Sequence, residues 1–404
     1  MRTITVQLGA EEARVDVAVD GARFRRQVGY RGDGPWGLTR WTDPADGAAY
    51  VVFSGALGGA ADLLGPVSGP DDLMPTALVV DGAPVAVTPP AGALLAGHHL
   101  GFAAGPWRAA AAAGVVVHAR SSLDADLGDL LAETRAALDW LLDFFGGSAP
   151  WGSDYAQVLV PDAPWLAMEH PGCVLLSERV LAADPVRRMA VLAHEAAHQW
   201  LGNLVSPAAW TDVGAFEGLA ELLGQLTCRG LLGHDADPYL DARRQTPPLV
   251  RLPGDDPRTL AATAGLAEVA GPAQHAELYR SVRSSLTGDV FRERVRGLLL
   301  DRGGTATSAA QIWAALGVGP QEPVRVSLPV ATRAEEGAWL RQVRDLGEED
   351  PATVALWARR AFRAAPAKGG RVADAVAALG DRSVPRAAAV GLGAELVRGA
   401  RRLD

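Results

Sequence analysis

Two histidines and a glutamate at a fixed spacing are the residues of this chain best suited to chemistry. They form the HExxH segment His194-Glu195-Ala196-Ala197-His198. On a helix, residues four apart share one face, so both imidazoles can reach one metal ion while Glu195 lies beside it. This arrangement suits a metal that activates water and a carboxylate that takes the proton. A surface helix with two unrelated histidines is the alternative interpretation.

A third protein ligand is required, because catalytic zinc usually has three protein ligands and one open position. Glu217 is the candidate, on a helical stretch at 216–222 that can return antiparallel to the first helix through the loop 204–212. Two imidazoles and a carboxylate predict one Zn²⁺ ion, although Mn²⁺ and Co²⁺ also suit these ligands. Without a metal, Glu217 would be a solvated helix charge.

Two further carboxylates are candidates to orient a ligand histidine. Glu221 follows Glu217 by four residues and therefore shares its helical face. Asp212, at the start of the same helix, is its rival. For each of them, an ordinary helix-start or surface charge is an equally good interpretation.

The helix that carries the motif has clear boundary signals. Asp184 is the predicted N-cap, Pro185 the first helical residue and the pair Gly202-Asn203 the end. Upstream, leucines at helical spacing from Leu123 onward predict another helix, which closes at Gly146-Gly147.

Three domains are predicted, which makes the fold class α+β and multidomain. Alternating apolar residues predict a β-sheet domain over 1–118, in which Asp81-Gly82 forms a hairpin turn and Pro84 marks an edge strand. Mixed strands and helices predict a catalytic domain over 119–325. An alanine-rich helical pattern predicts an α-helical C-terminal domain over 326–404.

Composition and charge exclude several classes of protein. The chain has 404 residues, 49% of them hydrophobic, and a formal net charge of -9, which argues against disorder and against a nucleic-acid partner. We expect neither a secretory leader nor a membrane span. With two cysteines, a reducing cytoplasm is the expected location. His98, His99 and His118 are interpreted as surface or packing residues.

The segment 194–205, together with 210–212 and 216–220, resembles the aminopeptidase N family of zinc peptidases. That family has HExxH, eighteen residues and then a glutamate, and the interval from His198 to Glu217 has this length. The resemblance implies a β N-terminal domain, a thermolysin-like zinc catalytic domain and a helical C-terminal domain. It also implies a role for Glu169, because 166–172 resembles the family's Gly-x-Met-Glu-Asn motif, whose glutamate binds the free α-amino group of the substrate. A strand-edge carboxylate without that role is the alternative interpretation.

The chain departs from the family pattern at three places. Leu166 and His170 replace the glycine and the asparagine of the short motif, and the glutamine segment that adds a second contact to the amine has no counterpart. Where the family has an oxyanion-stabilising tyrosine, this chain has Pro272. Loss of such a donor costs on the order of a hundred- to a thousandfold in rate. His275, about one turn further on, is the candidate replacement, with a solvent-facing histidine as the alternative.

Three functions follow from these observations. The first is a zinc aminopeptidase that acts on peptides or small amine-bearing substrates, with Glu195 as base. The second is a repurposed zinc enzyme of the same fold that acts on a small amide, ester, epoxide or biosynthetic intermediate. The third is a non-catalytic scaffold that binds partners through its C-terminal helices, against which the retained ligands argue. A homo-oligomer is left open.

Overall fold

The computed structural model of the protein describes residues 1–30, 37–56, 60–64, 70–147, 149–152, 154–161, 163, 166–209, 212–233 and 288–318. Three expectations lie outside the described residues: His275 as a donor, Pro272 at the tyrosine position, and the helical domain at 326–404. They stay predictions.

Two sheets are built from the N-terminal part of the chain. Its elements are β1 (Arg2–Leu8), β2 (Glu12–Val19), β3 (Ala22–Gly29), β4 (Gly37–Thr42), β5 (Ala49–Ser54), α1 (Ala60–Leu64), β6 (Met74–Asp81), β7 (Val85–Val87), β8 (Ala93–Leu95) and β9 (Gly101–Ala104). The strand orders are β3-β2-β1-β6-β8 and β4-β5-β9-β7. Alternate residues such as Val15 and Val17 are buried, which confirms the predicted alternation.

The turn at Asp81-Gly82 does not form the predicted hairpin. Strand β6 pairs with β1 and β8, whereas β7 pairs with β9 in the other sheet, so the turn carries the chain between sheets. Gly82 has a φ of +97°, and a Cβ atom there would lie 2.3 Å from the Leu8 carbonyl oxygen. The turn therefore requires a glycine here, because of its positive φ and because it lies so close to the backbone of Leu8. Pro84 precedes β7, which is an edge strand as predicted.

The rest of the described chain forms a third sheet, a two-stranded sheet, and five helices. These elements are β10 (Arg108–Ala112), β11 (Val115–Ala119), α2 (Gly128–Phe145), β12 (Tyr155–Val160), β13 (Ala167–His170), β14 (Cys173–Ser177), α3 (Pro185–Ala197), β15 (Ser206–Pro207), α4 (Val213–Leu232), α5 (Gly288–Arg302), β16 (Ala306–Thr307) and α6 (Ala309–Leu316). The two-stranded sheet consists of β15 and β16, and the third sheet has the order β10-β11-β12-β14-β13, with β13 antiparallel to β14 at one edge. The sheet begins inside the range 1–118 that was predicted for the β domain.

Both faces of the third sheet are buried. On β12, Tyr155 and Leu159 join the core formed with α2 and α3, while Val158 and Val160 join the core of the N-terminal sheets. Burial on both faces explains the unbroken apolar run of this strand. Mixed α and β structure is thereby confirmed, whereas the division into domains stays a prediction.

The helix boundaries agree with the sequence except at two ends. Helix α2 begins at Gly128 rather than at Leu123, so Leu123 and Leu127 precede the helix. Helix α2 ends before Gly146, which is left-handed, and the Asp184 side chain accepts a hydrogen bond from the Arg187 backbone N–H at the start of α3. Helix α3, however, ends at Ala197 rather than at Gly202. The His198 carbonyl accepts from the Asn203 N–H at 2.9 Å instead of from Gly202, so the helical pattern stops there.

Candidate active site

Helices α3 and α4 pack side by side in opposite directions, as predicted. Glu217, near the start of α4, lies against His198, the residue after the end of α3. Near the other end of α4, the Cys228 Sγ lies 3.8 Å from the Val186 carbonyl oxygen at the start of α3. The pairing therefore brings side chains from both helices to one point.

The three predicted metal ligands meet at that point. The Nε2 atoms of His194 and His198 are 3.0 Å apart, and the Glu217 Oε2 lies 3.5 Å and 3.6 Å from them. One potential ligand atom from each residue lies within 4.8 Å of the others. Two imidazole nitrogens that face each other beside a carboxylate are a donor set that suits a divalent cation such as zinc.

The electrostatics of the cluster also favour a cation. Burial lowers the pKa of His198, but the carboxylates of Glu217 and Glu169 outweigh burial and raise this pKa to about 9. The pKa of His194 is likewise raised, against the effect of burial, by hydrogen bonds to Glu217 and Glu221. The net negative charge of the surrounding carboxylates would be neutralised by a bound dication.

Each ligand histidine has a partner behind it that fixes its ring. The His198 Nδ1 donates to the Leu201 carbonyl oxygen at 3.0 Å, and the His194 Nδ1 lies 3.5 Å from the Glu221 Oε2. Both contacts leave the Nε2 atoms turned toward the shared point. The Asp212 carboxylate instead accepts from the backbone N–H groups of Ala209 and Ala309. The geometry therefore favours Glu221 over Asp212 as the orienting carboxylate.

Glu195 is buried next to the cluster and has a free acceptor atom. Among the described residues, its Oε2 accepts no hydrogen bond. Burial, the largest influence, raises its pKa to about 7 despite the neighbouring histidines. A carboxyl group whose pKa lies near neutrality can both accept and return a proton.

Glu169 lies on the edge strand β13 and lines the same cavity as two of the candidate ligands, His198 and Glu217. This narrow cavity has a volume of about 20 Å³ and is lined by His98, His99, Glu169, His198, Gly202, Asn203, Pro207, Val213, Phe216 and Glu217. Burial raises the pKa of Glu169. A metal cluster and a carboxylate on a separate strand thus share one cavity.

The sequence did not indicate that the N-terminal part also lines the site. His98 and His99 belong to a short 3-10 turn, Gly97–His99, and both border the cavity. His99 is buried, accepts from the Ala96 N–H at 3.2 Å and donates to the Gly202 carbonyl oxygen at 3.0 Å. The packing interpretation therefore holds for His99, whose ring bonds to the segment after α3. His98 is half-buried at the wall of the cavity.

Two more residues near the site were not assigned a role from the sequence. Gln199 is buried and bonds to the turn after β13. Tyr155 is also buried, and its hydroxyl has no hydrogen-bond partner among the described residues. Burial, together with the negative charges of Glu195 and Glu169, raises the pKa of Tyr155, so the hydroxyl keeps its proton.

An HExxH helix paired with a glutamate-bearing helix is the site architecture of zinc-dependent hydrolases. Comparison with known proteins agrees with this class of site. Residues 130–245 match the peptidase family M1 domain. The chain is 27% identical to aminopeptidase N of Bos taurus over 46% of this chain and 21% of the relative, and 29% identical to aminopeptidase N of Homo sapiens over 50% and 23%. Aminopeptidase M1 of Arabidopsis thaliana is 29% identical over 42% and 21%.

These matches support membership of the aminopeptidase N, or M1, family, and the resemblance predicted from the sequence is confirmed. The matched region spans between a fifth and a quarter of the length of these relatives. Within the described residues, no helix is both long enough and apolar enough to cross a membrane.

Proposed function

We propose that this protein is a zinc-dependent aminopeptidase that hydrolyses the N-terminal peptide bond of peptides. One observation carries the proposal: His198 and Glu217, which form a cluster with His194, line the same cavity as Glu169. A metal centre would catalyse hydrolysis, and a separate carboxylate in the same cavity would bind a free amino terminus. The family matches support the coarser statement, a peptide hydrolase.

Zinc would be held by His194, His198 and Glu217. When bound, it supplies Lewis acidity, which polarises the substrate carbonyl and lowers the pKa of water to roughly 7. Glu195, with its free Oε2, accepts the proton of the attacking water and passes it to the leaving amine. Glu169 pairs with the substrate ammonium group and so places the first peptide bond at the metal.

A second candidate is a hydrolase of the same fold that acts on a small non-peptide substrate. The narrow cavity of about 20 Å³ between the described residues favours it, because little room is left there beyond a metal and one water. A non-catalytic scaffold is disfavoured, because Glu195 and all three ligands are present and assembled.

We further propose that the enzyme works in a reducing cytoplasm, where the free buried thiols of Cys173 and Cys228 would persist. Peptides or small amine-bearing molecules are its proposed partners. The formal net charge of -9 disfavours nucleic acid.

The decisive experiment measures turnover of aminoacyl-anilides by the zinc-loaded protein, with N-acetylated anilides as the matched controls. We expect hydrolysis of the free-amine substrates alone, loss of activity with a chelator, and recovery with zinc. Hydrolysis of esters or epoxides but not of anilides would favour the second candidate. No turnover of any substrate at full zinc occupancy would remove both.

The same assay tests Glu195. We expect Glu195→Gln to lower kcat by on the order of a hundred- to ten-thousandfold, because the amide cannot accept the proton. Zinc content, measured in parallel, should stay unchanged, since Glu195 is not a ligand. Activity that survives this substitution would assign the base to another group.

A further inference from the structure

A buried side-chain amide just after the end of α3 links that end of the helix to β13, the strand that carries Glu169. Gln199 follows the ligand His198 directly, and its side chain is 1% exposed. Its Oε1 accepts from the Gly172 backbone N–H at 2.9 Å, and its Nε2 donates to the His170 carbonyl oxygen at 3.1 Å. The oxygen and the nitrogen of one amide thus both bond to the turn 170–172. Two bonds fix the orientation of the turn relative to Gln199 as well as its distance.

The turn held by Gln199 is the one that sets the position of Glu169. It joins β13 to β14, and Glu169 is paired with Val174 in that hairpin. Strand β13 is four residues long and lies at the edge of the sheet, with no further strand beside it among the described residues. A short edge strand with one paired side is a weak support for a binding residue. Contacts from outside the sheet therefore matter more here than on β12.

The other side of the same strand end is held by the N-terminal part of the chain. The buried His170 ring places its Nε2 3.1 Å from the Ser54 Oγ. The ring also packs on Gly101, where a Cβ atom would lie 2.5 Å from it. The residue next to Glu169 is thus confined on one side by β5 and β9 and on the other by Gln199.

We propose that Gln199 is a positioning residue: its amide holds the hairpin turn 170–172 against the end of the metal-ligand helix, and thereby fixes the Glu169 carboxylate relative to His198. Gln199 touches neither metal nor substrate in this assignment. The inference rests on the proposed function, because it presumes that Glu169 binds the substrate amine. It explains how β13 and α3, between which the described residues form no backbone hydrogen bond, keep Glu169 at a fixed distance from His198. That distance would select substrates with a free amino terminus.

The test uses the full-length zinc-loaded protein and two probes, leucine hydroxamate and its N-acetylated form. Gln199→Met keeps the length of the side chain and removes both hydrogen bonds. We expect it to reduce the preference for the free-amine probe by on the order of ten- to a hundredfold, since a small misplacement of a binding group has effects of this size. Binding of the acetylated probe and the zinc content should stay unchanged, and KM for an aminoacyl-anilide should change more than kcat.

Two further variants separate positioning from a general loss of packing. Gln157→Met is the matched control, because Gln157 is also a buried amide, bonded to the Thr134 Oγ1 at 3.2 Å and outside the site; it should keep the preference. In a protein that already carries Glu169→Gln, the addition of Gln199→Met should not reduce the preference for the free-amine probe further, since both substitutions act through the Glu169 carboxylate. The proposal would be overturned if the two substitutions reduced the preference additively. It would also be overturned if Gln199→Met weakened binding of both probes equally.

The outcomes distinguish this inference from the proposed function. If the wild-type protein prefers the free amine and Gln199→Met keeps the full preference, the positioning role alone is wrong. If the wild-type protein does not prefer the free amine, the aminopeptidase proposal fails, and the positioning role fails with it. Should Gln199→Met not fold, Gln199→Glu keeps the acceptor for the Gly172 N–H and removes the donor; an unchanged preference in that variant would equally overturn the role.

Discussion

Four glutamates surround the candidate metal centre, and their environments give them different tasks. Glu217 lies between the two ligand imidazoles, whereas Glu221 lies behind His194. Glu195 keeps an oxygen that accepts no hydrogen bond from any described residue. Glu169 approaches from a different element. Residue type alone could not separate these tasks, because all four are buried or half-buried carboxylates near one point.

The roles of Glu221 and Asp212 can be separated by substitution. We expect Glu221→Gln to weaken zinc binding on the order of ten- to a hundredfold, because the amide is a poorer acceptor for the His194 Nδ1–H. Competition with a chromogenic chelator measures this affinity. Asp212→Asn should instead lower the free energy of unfolding by about 1 kcal/mol through its bonds to Ala209 and Ala309, with unchanged zinc affinity. The reverse pattern would assign the orienting role to Asp212.

At the scale of elements, the site depends on the close approach of α3 and α4. Gly224 on α4 faces α3, where a Cβ atom would lie 3.1 Å from the Ala190 carbonyl oxygen and 3.4 Å from the His194 backbone nitrogen. A larger residue would therefore separate the helices at the level of a ligand. The absence of a side chain at Gly224 lets the ligands meet.

Gly224→Val should lower the free energy of unfolding by about 1–3 kcal/mol through overpacking. It should also weaken zinc binding, because His194 moves with its helix. Denaturant unfolding and zinc titration measure the two effects. Gly297→Val is the matched control, since Gly297 lies in α5 and a Cβ atom there would have no atom of the described residues within 4 Å. Equal effects of the two substitutions would show that close packing at Gly224 is unimportant.

At the scale of the whole molecule, buried histidines join the N-terminal sheets to the site. Burial lowers the pKa of His99 to about 4 and that of His170 to about 3. Both are neutral in the folded protein, while an unfolded histidine titrates near 6.5. Their contribution to stability is therefore complete above about pH 6.5 and is lost as the pH falls toward these lowered values.

Substitution of one of these histidines should flatten the pH dependence of stability. Between pH 7 and pH 5, we expect the free energy of unfolding of the wild-type protein to fall by about 2 kcal/mol more than that of His170→Asn, because His170 takes up a proton only on unfolding. Urea unfolding at both pH values gives the difference, in which contributions common to both proteins cancel. Parallel pH curves would show that His170 is already charged in the folded state.

The sequence by itself determined the local features. The N-cap at Asp184, the end of α2 at Gly146 and the antiparallel return of α4 depend on contacts within a few residues or on helical spacing, and all three appear as predicted. The two candidate ligand histidines could be predicted for the same reason, because a spacing of four on a helix fixes which side chains share a face.

Only the tertiary structure decided which distant segments complete the site. The turn at Asp81-Gly82 connects two sheets instead of closing one, and the His98–His99 turn, between β8 and β9, lines the cavity. Gln199 likewise acquires its role from a strand that lies about thirty residues upstream in the chain. Such contacts depend on how whole sheets pack on one another, and that packing leaves no periodic pattern in the sequence.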